Sequence, residues 1–243
     1  MTGSDHQIIY YLGGKSVISV KIGISTSVSL AFFISAAAAA EMSCKSIPLT
    51  VNAPSFAIAQ RTCNAAARTL PLITSCGVVL TQPYYIEVKE TIPGSRNCMG
   101  VYHCGTERIE MLSPEGIKRL RSDDSAFRSI STPSYFDSIL THELAHAAYD
   151  AVPCPFPDCL LTSEYVAYAM QVYSLPPKDR AAFEAGAPMN SPVSRYDISS
   201  VALFMAPDQF ARNVWAHFSQ REDGCAYVAD MMEGNFHLDT ERP

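Results

Sequence analysis

The sequence predicts an α+β protein in which a small α/β part, containing a sheet, precedes a helical part. Short segments with strand-like alternation of apolar and polar residues are confined to the first half of the chain. From Tyr135 onward, apolar residues recur mainly at helical spacing instead. No internal repeat or long linker follows residue 41, so we expect one domain over residues 41–243, with its α/β part at 41–133 and its helical part at 134–243.

The α/β part is predicted to contain four short strands and two helices. The strands are indicated by alternation or by β-branched and aromatic residues, at positions 46–52, 84–90, 100–104 and 108–112. The last two are expected to pair as a hairpin that turns at Gly105 and Thr106. An Ala-rich segment over residues 55–70 has helical spacing, and Ser113 with Pro114 is typical of a helix cap and first helical position.

The helical part is predicted to contain five helices. Their apolar residues recur at helical spacing over positions 135–151, 163–174, 178–185, 207–220 and 226–233. The first of them has neither glycine nor proline between Ser134 and Val152. Its sequence therefore contains no residue that would interrupt the backbone hydrogen bonds of the helix.

The composition restricts both the class of protein and its partners. The chain has 243 residues, of which 48% are apolar and 17% charged, and this apolar fraction excludes a disordered chain. The formal net charge is −6, and no more than two Lys or Arg residues are consecutive anywhere in the sequence. Since nucleic-acid binding requires clustered basic residues, we predict no nucleic-acid partner.

The first forty residues are predicted to be a targeting segment outside the folded domain. Lys15 and Lys21 precede residues 22–40, which carry no charge and pass from an apolar centre into five alanines. This order is typical of a secretory signal peptide at residues 1–40 with cleavage near Ala40, so we expect a periplasmic or secreted protein. A membrane anchor is the alternative, because an uncharged segment of this length could just span a bilayer if it stayed uncleaved.

Cysteine usage agrees with export. All eight cysteines lie beyond Ala40, and their even number predicts up to four disulfides in an oxidising compartment. Two pairs are close enough in sequence to close short loops, Cys98 with Cys104 and Cys154 with Cys159, although the sequence does not fix the connectivity. A cysteine-ligated zinc site is not predicted, because the chain has no C-x-x-C pair.

The most informative segment contains His142-Glu-Leu-Ala-His146, an H-E-x-x-H pattern within the first predicted helix of the helical part. Residues four apart lie one above the other on a helix, so His142 and His146 can bind one metal ion. Glu143 is offset from His142 by about 100° around the helix, which places it beside the metal as a general base. The opposite stripe is expected to be buried, and its residues are Leu140, Leu144, Ala147 and Ala148.

A surface helix with two solvated histidines would produce the same pattern. The apolar residues around the histidines argue against it, since unpaired polar groups are costly to bury.

The residues that follow the H-E-x-x-H pattern restrict the class of metal site. A metzincin would have glycine and a third histidine where this chain has Tyr149 and Val152, so that class is excluded.

Glu164 is the predicted third ligand. Seventeen residues separate it from His146, enough for a turn and an antiparallel second helix that returns the carboxylate to the metal. We expect Thr162 or Ser163 to cap this helix, with Glu164 in its first turn. The alternative is that Glu164 only complements the helix dipole. The lesser candidates for the third ligand are Asp150 and Asp158.

Over residues 142–173 the chain resembles the gluzincin metallopeptidases, which carry H-E-x-x-H on one helix and a ligand glutamate on the next. The resemblance implies a zincin-like domain, Zn²⁺ held by His142, His146 and Glu164, and a peptide or protein substrate. It also implies that Glu143 acts as general base and then general acid. The sequence departs from many gluzincins at Tyr168, where they have an aspartate.

The departure at Tyr168 bears on how His142 is oriented, and we expect Asp150, one turn beyond His146, to take that role. An electrophilic helper is also expected, and the candidates are His217, Tyr165 and Tyr168, for each of which core packing is the simpler interpretation. Two other functions stay open: a catalytically inactive zinc-binding or interaction domain, and a zinc amidase acting on cell-wall amides. The sequence does not indicate an oligomeric state.

Overall fold

The computed structural model describes residues 39–94 and 98–239 of the chain. The predicted signal peptide or anchor therefore lies outside the described residues, apart from its last two positions. Within the described ranges the protein is α+β, as predicted, with its sheet in the first half of the chain and most of its helices in the second.

The strands form one mixed sheet. They are β1 (Ala40–Ser43), β2 (Leu49–Ala53), β3 (Tyr84–Lys89), β4 (Gly100–His103) and β5 (Arg108–Leu112). Their spatial order is β1-β2-β3-β5-β4, with parallel pairing in the centre and antiparallel pairing at both edges. The predicted hairpin between β4 and β5 is confirmed, and it leaves β4 as an edge strand. β1 was not predicted, because it continues the alanine run assigned to the targeting segment.

The described residues contain eight α-helices. They are α1 (Phe56–Thr74), α2 (Pro114–Leu120), α3 (Thr132–Tyr149), α4 (Leu160–Tyr173), α5 (Pro177–Glu184), α6 (Ser200–Met205), α7 (Pro207–Ser219) and α8 (Gly224–Met232). The seven predicted helices are all present. The sequence missed α6, since its six residues are too few for a helical period to be recognised.

Helix α4 begins at Leu160, three residues before the predicted start. The predicted cap at Thr162 or Ser163 is wrong, because both residues lie inside the helix. The helix extends further because the carboxylate of Asp239, distant in sequence, accepts hydrogen bonds from the backbone N–H groups of its first turn. No local sequence pattern could have indicated this contact.

Helices α1 and α3 cover the apolar face of the sheet. Alternate strand residues are fully buried on that face, including Val51 beside Ile86 in adjacent strands. An ionic contact joins the two helices: Asp137 of α3 lies 2.9 Å from the guanidinium of Arg61 and 2.8 Å from that of Arg68, both on α1. These contacts fix α3, which carries the H-E-x-x-H residues, on the sheet.

Three disulfides cross-link the described chain: Cys44–Cys63, Cys76–Cys225 and Cys154–Cys159. The last of them confirms one of the two predicted short loops. Disulfides of this number fit an exported protein. Within the described residues, no helix combines the length and apolar character needed to cross a bilayer.

The second short loop considered from the sequence, between Cys98 and Cys104, is not closed in the described residues, where Cys104 remains a thiol. The reason is the extended strand β4, which lies between the two positions. A four-residue strand spans about 10 Å or more, whereas a disulfide requires Cα atoms within about 7 Å. Closeness in sequence is therefore misleading when the intervening residues form a strand.

Removal of the Cys76–Cys225 bridge should lower the free energy of unfolding more than removal of Cys154–Cys159. The first closes a loop of 149 residues and the second a loop of 5. Loop entropy then predicts losses of about 5 and about 2 kcal/mol for the paired Cys→Ser variants. Urea unfolding of both variants beside the wild type measures these losses, and equal losses would contradict the loop-entropy explanation.

Candidate metal centre

Helix α3 brings His142 and His146 to one face, one turn apart. Their Nε2 atoms lie 3.1 Å from each other, and both side chains are largely buried. Burial, with a smaller contribution from His146, holds the pKa of His142 well below its usual range. Burial likewise lowers the pKa of His146 to about 4. Both imidazoles are therefore neutral at physiological pH, which is the form that binds metals.

Helix α4 supplies the third group. The Glu164 carboxylate oxygens lie 3.7 Å from the Nε2 atom of His142 and 3.7 Å from that of His146. Because α4 starts at Leu160, Glu164 lies in the second turn of the helix, and the expectation of a first-turn position is wrong. Burial raises the pKa of Glu164 to about 7, so the carboxylate lacks a positive partner among the side chains around it.

The separations of these three donor atoms fit zinc. Tetrahedral zinc with ligand distances of about 2.0–2.1 Å places neighbouring nitrogen and oxygen ligands about 3.3 Å apart. The observed separations are 3.1, 3.7 and 3.7 Å. Within the described residues, His142, His146 and Glu164 are the one group of three or more His, Cys, Asp or Glu residues whose ligand atoms converge in this way. The lesser candidates, Asp150 and Asp158, are not part of the group.

Gln171, and not Asp150, orients His142. The side-chain carbonyl of Gln171 lies 3.1 Å from Nδ1 of His142, and its amide group donates to the hydroxyl of Ser138 at 3.4 Å. An amide carbonyl can only accept, so Nδ1 carries the proton and Nε2 presents its lone pair to the site. The role predicted for Asp150 is wrong because that carboxylate, at the end of α3, accepts from the Tyr102 hydroxyl at 2.8 Å and from the hairpin backbone.

Ser163 is the corresponding partner of His146, with its hydroxyl 2.8 Å from Nδ1. When Nδ1–H donates to this hydroxyl, Nε2 of His146 also presents a lone pair. The earlier histidine, His142, pairs with the later residue of α4, Gln171, and the later histidine, His146, pairs with the earlier residue, Ser163. The two helices are therefore antiparallel, as the sequence predicted.

Glu143 lies beside the three donor atoms and lines the same cleft. Its side chain is buried against the edge strand, where a Cβ atom at Gly100 would come within 2.5 Å of Oε1 of Glu143. Only glycine therefore fits at position 100 without displacing the carboxylate. Burial, reinforced by the negative charge of Glu164, raises the pKa of Glu143 to about 8, while the backbone N–H of Tyr102 opposes the shift. A bound cation would lower the pKa of both glutamates.

The site opens into a cleft of about 950 Å³ between α3, α4 and the edge strand β4. Gly100, Val101 and Tyr102 of β4 form part of its wall. The carboxylates that line it are Glu143, Asp150, Asp158, Glu164 and Asp208. Among the described residues that line the cleft there is neither lysine nor arginine, and both histidines are neutral, so the cleft contains acidic side chains and no positively charged ones.

Two of the three candidate helpers lie outside the cleft. His217 is buried between the Tyr165 hydroxyl, 2.8 Å away, and the guanidinium of Arg221, also at 2.8 Å. Burial and the positive charge of Arg221 lower the pKa of His217 to about 4. These contacts identify His217 and Tyr165 as core residues. Tyr168 does line the cleft, with its ring edge-on to that of His142 and the ring centroids 4.6 Å apart.

The sequence did not indicate the residues that position the donor groups and Glu143. Gln171 and Ser163 hydrogen-bond to the histidines, and Gly100 lies against the Glu143 side chain. Gln171 lies two helical turns beyond Glu164, on the face that carries the ligand, and this spacing could have drawn attention to it. No signal in the sequence distinguishes Gly100 from a glycine in an ordinary turn.

The sequence matches the family described as "Family of unknown function (DUF6639)" over residues 49–241, more than half of the chain, so the protein belongs to this family. It matches no curated protein and no solved structure. The matched region includes both histidines, Glu143 and Glu164. The description of the family assigns no function to it.

Substitution of His146 should abolish metal binding, because it removes one of three converging donor atoms. We expect one zinc ion per wild-type chain and none in His146→Ala, measured by elemental analysis after removal of any purification tag. His103→Ala is the control, since His103 is on the edge strand and is not one of the converging groups. Equal zinc in the wild type and His146→Ala would contradict the site.

Gln171→Ala should keep the fold but bind zinc about 10–100 times more weakly, the usual effect of removing a group that orients a ligand histidine. Competition with a chromogenic chelator measures the affinity. Gln209→Ala, at an exposed glutamine of α7, is the matched control and should bind as the wild type does. An unchanged affinity in Gln171→Ala would show that His142 needs no help from α4.

Proposed function

We propose that this member of a family of unknown function is a zinc-dependent metallohydrolase with the chemistry of a gluzincin-like peptidase. The observation that carries the proposal is the convergence of two histidine nitrogens and the Glu164 carboxylate at separations suited to tetrahedral zinc. Glu143 lies beside them in an open cleft. We extend the proposal to the fold, in which a mixed sheet and two antiparallel helices form the arrangement expected of a zincin-like domain.

Three protein ligands favour a catalytic over a structural zinc site, since structural sites use four. Zinc held by His142, His146 and Glu164 would act as a Lewis acid that brings a coordinated water to a pKa of about 7 and polarises a substrate carbonyl. The cleft gives a substrate access to the remaining position. Gln171 and Ser163 keep the two imidazoles oriented while the substrate enters and leaves.

Glu143 is the proposed general base. Its position one residue after His142 turns its side chain away from the ligand face and towards the cleft wall. There the carboxylate can accept a proton from the attacking water and return it to the leaving amine. The close contact with Gly100 restricts its conformations, so the proton acceptor is held in place before the substrate binds.

The edge strand supports a peptide substrate. β4 is paired on one side only, and Gly100 to Tyr102 face the cleft. An extended peptide can add to such an edge through backbone hydrogen bonds, which are independent of its sequence. The acidic lining disfavours substrates with many carboxylates, because like charges repel.

Export of the enzyme belongs to the same proposal. We propose that residues 1–40 act as a signal peptide and are removed near Ala40. Ala40 is the first residue of β1 and pairs with Ala53. A cut after Ala40 would leave the rest of β1 to pair with β2. Mass analysis of the exported protein would identify the mature start.

Glu143→Gln should bind zinc as the wild type does and lose hydrolysis by a factor of about 10² to 10⁴, the usual contribution of a general base. Zinc content and cleavage of an unfolded protein substrate are measured on the same samples. Glu115→Gln, at a glutamate in the first turn of α2, is the control and should retain activity.

Loss of zinc from Glu143→Gln would mean that the side chain is a ligand or a support, and retained activity would exclude it as the base. If the zinc-loaded wild type cleaves cell-wall amides and no peptide, the amidase alternative holds. If it cleaves neither, the protein is a catalytically inactive zinc-binding domain.

A further inference from the structure

We propose that the C-terminal segment 235–239, here called the clamp, sets the geometry of the metal centre, and that Asp239 is a positioning residue for Glu164. The inference rests on the proposed zinc site, since Glu164 is one of its three ligands. The clamp touches the last turn of α3 and the first turn of α4, the two helices that carry the ligands. Its contacts therefore join the end of α3 to the start of α4 and hold these two helix ends relative to each other.

Asp239 replaces the missing cap of α4. The N-cap position is Cys159, and its side chain makes no capping hydrogen bond in the described structure. The two carboxylate oxygens of Asp239 instead accept the backbone N–H groups of Leu161 and Thr162, each at 3.0 Å. A carboxylate at this end of a helix also interacts favourably with the helix dipole.

Thr162 fixes the register between the clamp and α4. Its hydroxyl donates to the Asp239 carboxylate and accepts the backbone N–H of Leu238 at 2.8 Å. The Thr162 side chain is fully buried, so these bonds are not exchanged with water. Displacement of the clamp by one residue would break both.

The other end of the clamp is held by α3 and by Arg195. The Tyr149 hydroxyl, at the end of α3, lies 3.3 Å from Nδ1 of His237. The Arg195 guanidinium donates to the backbone carbonyl of His237 at 3.1 Å and to that of Leu238 at 3.4 Å, and it lies over the ring of Phe236. The clamp is therefore attached to α3 and to Arg195 through residues 236–238, immediately before the contact of Asp239 with α4.

The position of Glu164 depends on where α4 begins. Local sequence favours a start at Thr162 or Ser163, because both are good capping residues. With that start, Glu164 would lie in the first turn, where its backbone N–H has no partner in the helix. With the observed start at Leu160, its N–H can bond the carbonyl of Leu160, and its side chain is fixed towards the histidines. Asp239 selects the second arrangement.

Thermodynamic linkage makes the effect reciprocal. If Asp239 tightens zinc binding by some factor, then zinc must tighten docking of the clamp by the same factor. Two independent readouts follow: zinc affinity on one side, and protection of the clamp and first-turn amides from hydrogen exchange on the other.

The test compares three variants of the full chain. Asp239→Ala removes both acceptors and should weaken zinc binding about tenfold. This factor corresponds to the free energy usually lost with a helix cap, expressed as a loss of metal affinity. Asp239→Asn keeps one acceptor oxygen and should fall between this variant and the wild type. Asp223→Ala is the matched control: Asp223 caps α8 by accepting the N–H of Ala226 at 2.8 Å, so it should lose similar thermal stability with unchanged zinc affinity.

Zinc affinity is measured by chelator competition, and amide exchange by mass spectrometry with and without zinc. We expect faster exchange at Leu161 and Thr162 in Asp239→Ala, and slower exchange at Leu238 when zinc is added to the wild type. If Asp239→Ala does not fold, the comparison of Asp239→Asn with Asp223→Ala carries the test. Zinc binding by the wild type with unchanged affinity in the Asp239 variants would overturn the positioning role alone. Failure of the wild type to bind zinc would instead overturn the proposed site.

Discussion

The antiparallel pairing of α3 with α4 is the interaction on which the candidate site depends. α3 contributes two histidines, but α4 contributes the third ligand and both hydrogen-bond partners of the imidazoles, Ser163 and Gln171. Neutral histidines whose lone pairs converge at 3.1 Å repel each other unless a cation lies between them. The pairing of the two helices therefore brings together the three donor groups of the candidate site and the two groups that orient its imidazoles.

The sequence predicted the parts of the site that depend on spacing along a single helix or on the length of the connection to the next helix. His142 and His146 were predictable because a spacing of four residues matches the helical repeat, and the return of Glu164 followed from the length of the connection. The start of α4 was not predictable, since it depends on Asp239, more than seventy residues away. Gln171 was missed for the same kind of reason: its role depends on packing between helices, not on a motif.

The edge strand of the sheet lies close to helix α3 at Gly100. The absence of a side chain there lets the edge strand approach the Glu143 carboxylate, so the wall along which a peptide could bind lies directly against the proposed base. The acidic lining of the cleft has a second effect, because it raises the local concentration of cations near the donor atoms. The same charges would repel acidic peptides.

The clamp has a consequence for the order in which the protein is made. During translation, both histidines and Glu164 are synthesised before Cys225 and Asp239, which lie near the end of the described residues. A nascent chain that has not yet extended this far carries the ligand residues but lacks the contact that places the start of α4. Such an incomplete chain would thus bind zinc weakly at the proposed site. Metal acquisition at the proposed site, and any hydrolytic activity that depends on it, would be deferred until Asp239 has been synthesised and has docked on the first turn of α4.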